Sequence, residues 1–184
     1  MILVVDLNRV DLPLSPNEFV APIVDTVKDV QAYSVIHYTQ VDLDVLELVD
    51  AAILSGTTLK DTGYLENPDS FDWIDSFEKP VLGICAGMQV MGLRYGSSLL
   101  DCREVGLTEV KTARENPIFS GEFTAYCLHK KSVVPSEEFV VLANSKDCVE
   151  AVKHRVKNHY GVLFHPEVRN REIIHSFIRL LDHD

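Results

Sequence analysis

One segment of this 184-residue chain concentrates chemical potential: Gly83-Ile84-Cys85-Ala86-Gly87. It follows the apolar run Pro80-Val81-Leu82 and precedes a helical pattern from Met88 to Leu93, so Cys85 stands where a buried strand turns into a helix. A nucleophile at such a turn sits in a strained backbone conformation, and side chains two residues to either side would clash, which accounts for the flanking glycines. The helix N-terminus behind Cys85 favours thiolate over thiol. The N–H of Ala86 is placed to hold a developing oxyanion. The chemistry implied is nucleophilic attack by sulfur on an acyl carbon.

A nucleophilic cysteine needs a base within reach. Seven histidines are available, at 37, 129, 154, 159, 165, 175 and 183, and only one has a distinctive context. His165-Pro166-Glu167 follows the apolar run Gly161-Val162-Leu163-Phe164 and so stands at the end of a predicted strand, where sites assemble in α/β sheets. In an extended segment residues i and i+2 point to the same side, which sets the Glu167 carboxylate beside the His165 ring. Pro166 between them restricts the backbone to that form. Such a carboxylate would orient the imidazole and stabilise the imidazolium, completing a Cys85–His165–Glu167 triad.

The elements that must carry these residues can be read from the apolar pattern. Ile2 to Val5, Tyr33 to Tyr38, Ala51 to Leu54 and Pro80 to Ile84 are predicted strands. Between them fall helices from Ser15 to about Val30, Asp42 to Leu48 and Phe71 to Phe77. Ser15-Pro16-Asn17-Glu18 has the form of a capping box, and Pro22 is expected to kink the helix that follows. Continuous apolar strands separated by helices mark a parallel sheet covered on both faces. After about residue 98 the pattern changes to strands joined by short loops: Val105 to Val110, Phe123 to Leu128, Phe139 to Leu142, Val149 to Lys153 and Gly161 to Phe164. A helix from Arg169 to Leu181 closes the chain. The expected fold is one α/β domain over residues 1–184, with a mostly parallel central sheet flanked by helices and a partly antiparallel second half.

Bulk composition bounds the remaining classes. Hydrophobic residues make up 46% and charged residues 24%, as in globular proteins rather than disordered ones. No stretch approaches the ~18 apolar residues of a membrane span, and the N-terminus has no basic region or small-residue cleavage site, so no membrane contact and a cytoplasmic location are expected. The net charge of −11, from 28 acids against 17 bases, argues against nucleic acid as a partner. Cys85, Cys102, Cys127 and Cys148 include no C-x-x-C pair, so no metal site is expected from them. In a cytoplasmic chain structural disulfides are not expected, and all but Cys85 read as small buried side chains.

Taken together, Gly83-Ile84-Cys85-Ala86-Gly87-Met88-Gln89, Gly161-Val162-Leu163-Phe164-His165-Pro166-Glu167-Val168 and Ile53-Leu54-Ser55-Gly56 resemble the class I glutamine amidotransferases, in that family's order and at about its spacing. Within the family the glutaminase part of GMP synthase looks nearest. The resemblance implies that Cys85 attacks the glutamine carboxamide carbon, that His165 gives a proton to departing ammonia, and that water hydrolyses the thioester, with no cofactor. It also implies oxyanion donors at Gly56, Thr57 and Ala86, glutamine contacts at Gln89 and His129, and a separate synthase subunit that accepts the ammonia. Two alternatives use the same fold: a stand-alone hydrolase of γ-glutamyl bonds, and a catalytically silent regulatory module.

Three positions depart from the family pattern. Its Ser-Gly-Gly loop reads Ser55-Gly56-Thr57, and a β-branched residue resists positive φ, so the oxyanion loop is impaired if it requires that conformation. The Ser-His-Gly-Asp element of the GMP synthase group reads Leu128-His129-Lys130-Lys131, keeping only the histidine. Leu7 to Pro16 lacks that group's Gly-Gln or Gly-Ser-Gln pattern.

Overall fold

A computed structural model describes residues 1–11 and 14–182. Leu12 and Pro13, within the Leu7–Pro16 stretch, and His183 lie outside the described residues. Nine strands form one mixed sheet: β1 (Ile2–Asp6), β2 (Tyr33–His37), β3 (Ala51–Leu54), β4 (Val81–Ile84), β5 (Ser98–Thr112), β6 (Glu122–Val134), β7 (Phe139–Asn144), β8 (Val149–His154) and β9 (His159–Val162). Their order across the sheet is β2-β1-β3-β4-β9-β8-β7-β5-β6. The pairings from β2 to β9 are parallel and those from β9 to β6 antiparallel, matching the expected division of the chain.

The apolar strands divide their side chains between two cores, as alternation on a pleated sheet requires. Ile2, Val4, Ile53 and Leu82 face α2 (Ala21–Val27) and α7 (Glu172–Arg179), through Ile23, Val27, Ile173 and Phe177. Leu3, Val5, Leu54 and Val81 face the other side. That side holds α3 (Leu43–Leu48), α4 (Gly63–Glu66), α5 (Trp73–Ser76) and α6 (Ala86–Arg94). One crossover matters most for function. The last strand, β9, returns to the middle of the sheet and pairs with β4, with Gly83 opposite Gly161 and Ile84 opposite Val162. This brings the chain around His165 beside the turn that carries Cys85.

Several local expectations are corrected. The helix after Ser15 is two short helices, α1 (Ser15–Phe19) and α2, and it ends at Val27 rather than Val30. No capping box forms. Leu14 is the N-cap, no side chain caps the helix, and Ser15 is buried within the first turn. Pro22 removes a helical N–H, and the two segments are separated at Val20. The predicted helix from Phe71 begins as a 3-10 turn at Pro68–Phe71, and the final helix starts at Glu172 rather than Arg169. Cys102 and Cys148 are joined by a disulfide, contrary to the expectation of small buried thiols, whereas Cys85 and Cys127 are free and buried. Spacing could not reveal the pair, because β5 and the β7–β8 turn meet only through the sheet.

Candidate active site

Cys85 follows β4 and caps α6 with φ 50° and ψ −102°, and among the described residues only it and Asn170 are non-glycines with positive φ. Such a conformation costs about 1–3 kcal/mol and persists only when its surroundings impose it. Here a Cβ on Gly83 would lie 2.6 Å from the Gly87 carbonyl carbon, and one on Gly87 would lie 2.6 Å from the Leu54 carbonyl oxygen. Both flanking glycines are therefore steric requirements of the turn, as the sequence pattern implies. A Cβ on Gly161 would meet Met88 Cγ at 2.7 Å, so close seating of α6 on β9 needs that glycine as well.

His165 and Glu167 are both buried, and His165 Nδ1 lies 2.7 Å from Glu167 Oε1. The His165 backbone N–H donates to the Tyr126 carbonyl at 2.8 Å, and the Cys85 thiol donates to the Leu128 carbonyl at 3.6 Å. Alternate carbonyls of β6 thus hold both halves of the site. Burial works against a charged His165, but the Glu167 carboxylate and the Cys85 sulfur outweigh it and hold the imidazole pKa well above the ordinary histidine value. His165 Nε2 has no hydrogen-bond partner, and the Cys85 thiol bonds the Leu128 carbonyl.

The loop after β3 is pinned from below. Ser55 N–H donates to the Val5 carbonyl at 3.0 Å, Leu7 N–H donates to Ser55 Oγ at 3.1 Å, and Asn8 Nδ2 donates to the Gly56 carbonyl at 3.4 Å. Neither Gly56 nor Thr57 has positive φ. The strain expected from a β-branched Thr57 is therefore absent. Gly56 is required for another reason: a Cβ there would lie 2.6 Å from His165 Cε1. Ala86 is the first residue of α6, so its N–H has no partner within the helix.

A small cleft opens beside Cys85, with Thr57, Tyr64, Gln89, Leu128 and Lys130 on its walls. Gln89 is buried, not an exposed residue of a first helical turn. Its Oε1 accepts from the Tyr64 hydroxyl at 2.6 Å and its Nε2 donates to the Lys131 carbonyl at 3.0 Å. His129 also borders the cleft, but its side chain is fully buried and its Nδ1 lies 3.1 Å from the Cys102 carbonyl. Tyr64, Asn8 and the two β6 carbonyls escape a reading of the sequence. A backbone carbonyl carries no residue identity, and Tyr64 lies in the single turn of α4, within a polar stretch too short to show periodicity.

The fold and this site define an α/β protein with a cysteine elbow backed by a buried histidine–carboxylate pair. The model of glutamine amidotransferase class-I matches residues 16–181, and the chain belongs to that family. The glutamine-hydrolysing GMP synthase subunit of Methanocaldococcus jannaschii is 46% identical over 101 residues, covering 50% of this chain and 53% of that protein. The match thus spans about half the length of that curated relative. The like-named subunit of Methanosarcina barkeri is 33% identical over 151 residues, covering 76% of this chain and 78% of the relative. A Thermoplasma acidophilum protein assigned to the same GMP synthase subunit shares the fold with a TM-score of 0.84 at 23% identity, over 100% of this chain and 95% of its own. Among the described residues, no helix is long and apolar enough to cross a membrane.

Proposed function

We propose that this chain hydrolyses the side-chain amide of glutamine and passes the ammonia to a separate synthase subunit of the GMP-forming class, in the cytoplasm. The observation that carries the reading is the strained Cys85 elbow next to the buried His165–Glu167 pair. The Cys85 proton passes to His165 Nε2 as Sγ attacks the carboxamide carbon, and the negative charge on oxygen is held by N–H groups at Ala86 and in the Gly56–Thr57 loop. His165, kept protonated by Glu167 and the sulfur, gives its proton to the departing nitrogen, and ammonia leaves with cleavage of the C–N bond. Neutral His165 then takes a proton from water, whose oxygen attacks the thioester carbon. Glutamate departs, the C–S bond breaks and Cys85 is restored. Gln89, braced by Tyr64, forms part of the wall against which glutamine rests.

The closing test is ammonia release from glutamine, with and without the synthase subunit. Cys85→Ser abolishes it with the fold retained, while Cys127→Ala keeps most of it. More than a trace of activity in Cys85→Ser would remove the assignment. Turnover of a γ-glutamyl amine with glutamine untouched would replace glutamine as the substrate.

A further inference from the structure

Behind the wall of the cleft lies a second cluster that this chemistry does not use. Glu104 on β5 and His129 on β6 are register partners, and Glu150 reaches them from β8. His129 Nε2 lies 3.4 Å from Glu104 Oε2 and 3.7 Å from Glu150 Oε1, and none of these three buried atoms has a hydrogen-bond partner. The side chains of His129 and Glu150 are both 0% exposed.

The remaining polar atoms of the three side chains are already held. His129 Nδ1 faces the Cys102 carbonyl at 3.1 Å, and an N–H there is the arrangement that contact requires. The neutral ring then turns its Nε2 lone pair toward the two carboxylates. Ser145 Oγ donates to Glu104 Oε1 at 2.8 Å, and the Cys127 thiol donates to Glu150 Oε2 at 3.6 Å. Two carboxylate oxygens and an imidazole nitrogen therefore converge in a buried space, which is costly unless a proton or a metal ion lies between them. Histidine ligands to metals characteristically give their other ring N–H to a carbonyl or carboxylate, as His129 does here.

The spacing also fits an ion. Zinc about 2.1 Å from nitrogen and oxygen ligands in a tetrahedron sets neighbouring ligand atoms about 3.4 Å apart. The sulfur of Cys148 completes a group in which all four candidate ligand atoms lie within 4.8 Å of one another. We propose that Glu104, His129 and Glu150 bind one divalent cation of the zinc class, and that Cys148 supplies the fourth ligand when its bond to Cys102 is reduced. The ion ties β5, β6 and β8 together one residue from Leu128, whose carbonyl holds Cys85. Reduction by a water-soluble phosphine balances as follows. The phosphine gives two electrons to the S–S bond and takes the oxygen of one water, and the two protons of that water end on Cys102 and Cys148. The Cys148 thiol releases its proton on binding the metal.

The test uses the full chain, stripped with a chelator, reduced with the phosphine and titrated with Co²⁺ alone and then with Zn²⁺ in competition. The expected result is one Co²⁺ per chain with the strong visible absorption of tetrahedral cobalt. A near-ultraviolet sulfur-to-cobalt band appears only after reduction and is absent in Cys148→Ser. Losing an outer partner of a metal ligand costs ~10–100-fold in affinity, so losing a ligand in Glu150→Gln weakens binding by at least about 100-fold. Glu104→Gln, at a less buried position, does the same and serves if Glu150→Gln fails to fold. Absence of a tight stoichiometric site in the reduced chain would overturn the proposal and leave a shared proton as the occupant. Full affinity in a folded Glu104→Gln or Glu150→Gln would overturn it too, placing any bound metal elsewhere, such as at Cys85 and His165.

Discussion

Replacing Gly56 by alanine adds one methyl group and aims it at His165. The new Cβ would lie 2.6 Å from His165 Cε1, 3.3 Å from Nδ1 and 3.4 Å from Phe19 Cδ1. Carbon atoms rest about 3.5–4.0 Å apart, so the overlap with the ring is about 1 Å. The ring has little freedom to yield: it is 1% exposed, Phe19 and Tyr126 stand against it, and Glu167 holds its Nδ1 at 2.7 Å. Relief therefore costs the Glu167 hydrogen bond or shifts the Gly56 loop. A 1 Å misplacement of a reacting group costs ~10²-fold in rate, so kcat for ammonia release falls by about that factor. Overpacking lowers stability by about 1–3 kcal/mol at the same time. Gly121→Ala separates the two effects. Its φ of 75° strains an alanine, but a Cβ there meets nothing within 4 Å, so it loses stability and keeps its rate. Both variants are measured by urea unfolding and by coupled ammonia detection with the synthase subunit present. Wild-type kcat in a folded Gly56→Ala chain would refute the packing argument.

His165→Ala removes essentially all glutamine turnover, whereas Glu167→Gln loses ~10–10³-fold, because the carboxylate orients and charges the ring without itself moving a proton. Equal rates for Glu167→Gln and wild type would reduce the site to a Cys–His pair. Thr57→Gly leaves the glutaminase rate equal or lower, since Thr57 is buried without positive φ and glycine has no strain to relieve; a faster variant would mean that Thr57 holds the loop out of place. Burial first, and the Lys157 and His154 charges after it, lower the His159 pKa to about 4. The unfolded chain therefore takes up this proton first as pH falls, and stability declines from about pH 6.5 toward pH 4, then levels. Between pH 7 and pH 5 the loss from this one group is about 2 kcal/mol by urea titration. His159→Asn flattens that slope, and an unchanged slope in the variant would assign the acid sensitivity elsewhere.

Much of what depends on short-range covalent geometry is legible in the sequence. Two glycines at ±2 from Cys85 announce a turn that tolerates no side chains there, and His165-Pro166-Glu167 announces an imidazole beside a carboxylate. The segment itself is a turn closed by the Val168 and Arg169 N–H groups on the His165 carbonyl, rather than the extended backbone expected. Apolar runs of four residues separate the parallel half of the sheet from the antiparallel half. The capping box fails because Ser15 lies inside the first turn, buried, and local propensity yields to that packing. What only the tertiary structure decided are the meetings of distant strands. The return of β9 to the side of β4 brings His165 beside Cys85, and the path of β6 sets the Tyr126 and Leu128 carbonyls behind them. The need for glycine at position 56 likewise follows from a ring more than a hundred residues away rather than from its own φ. Glu104, His129 and the Cys148–Glu150 pair, far apart along the chain, converge only because β5, β6, β7 and β8 are neighbours in space. Periodicity reports which face of an element is buried; which elements then share that interior is set by strand order, which no local pattern encodes.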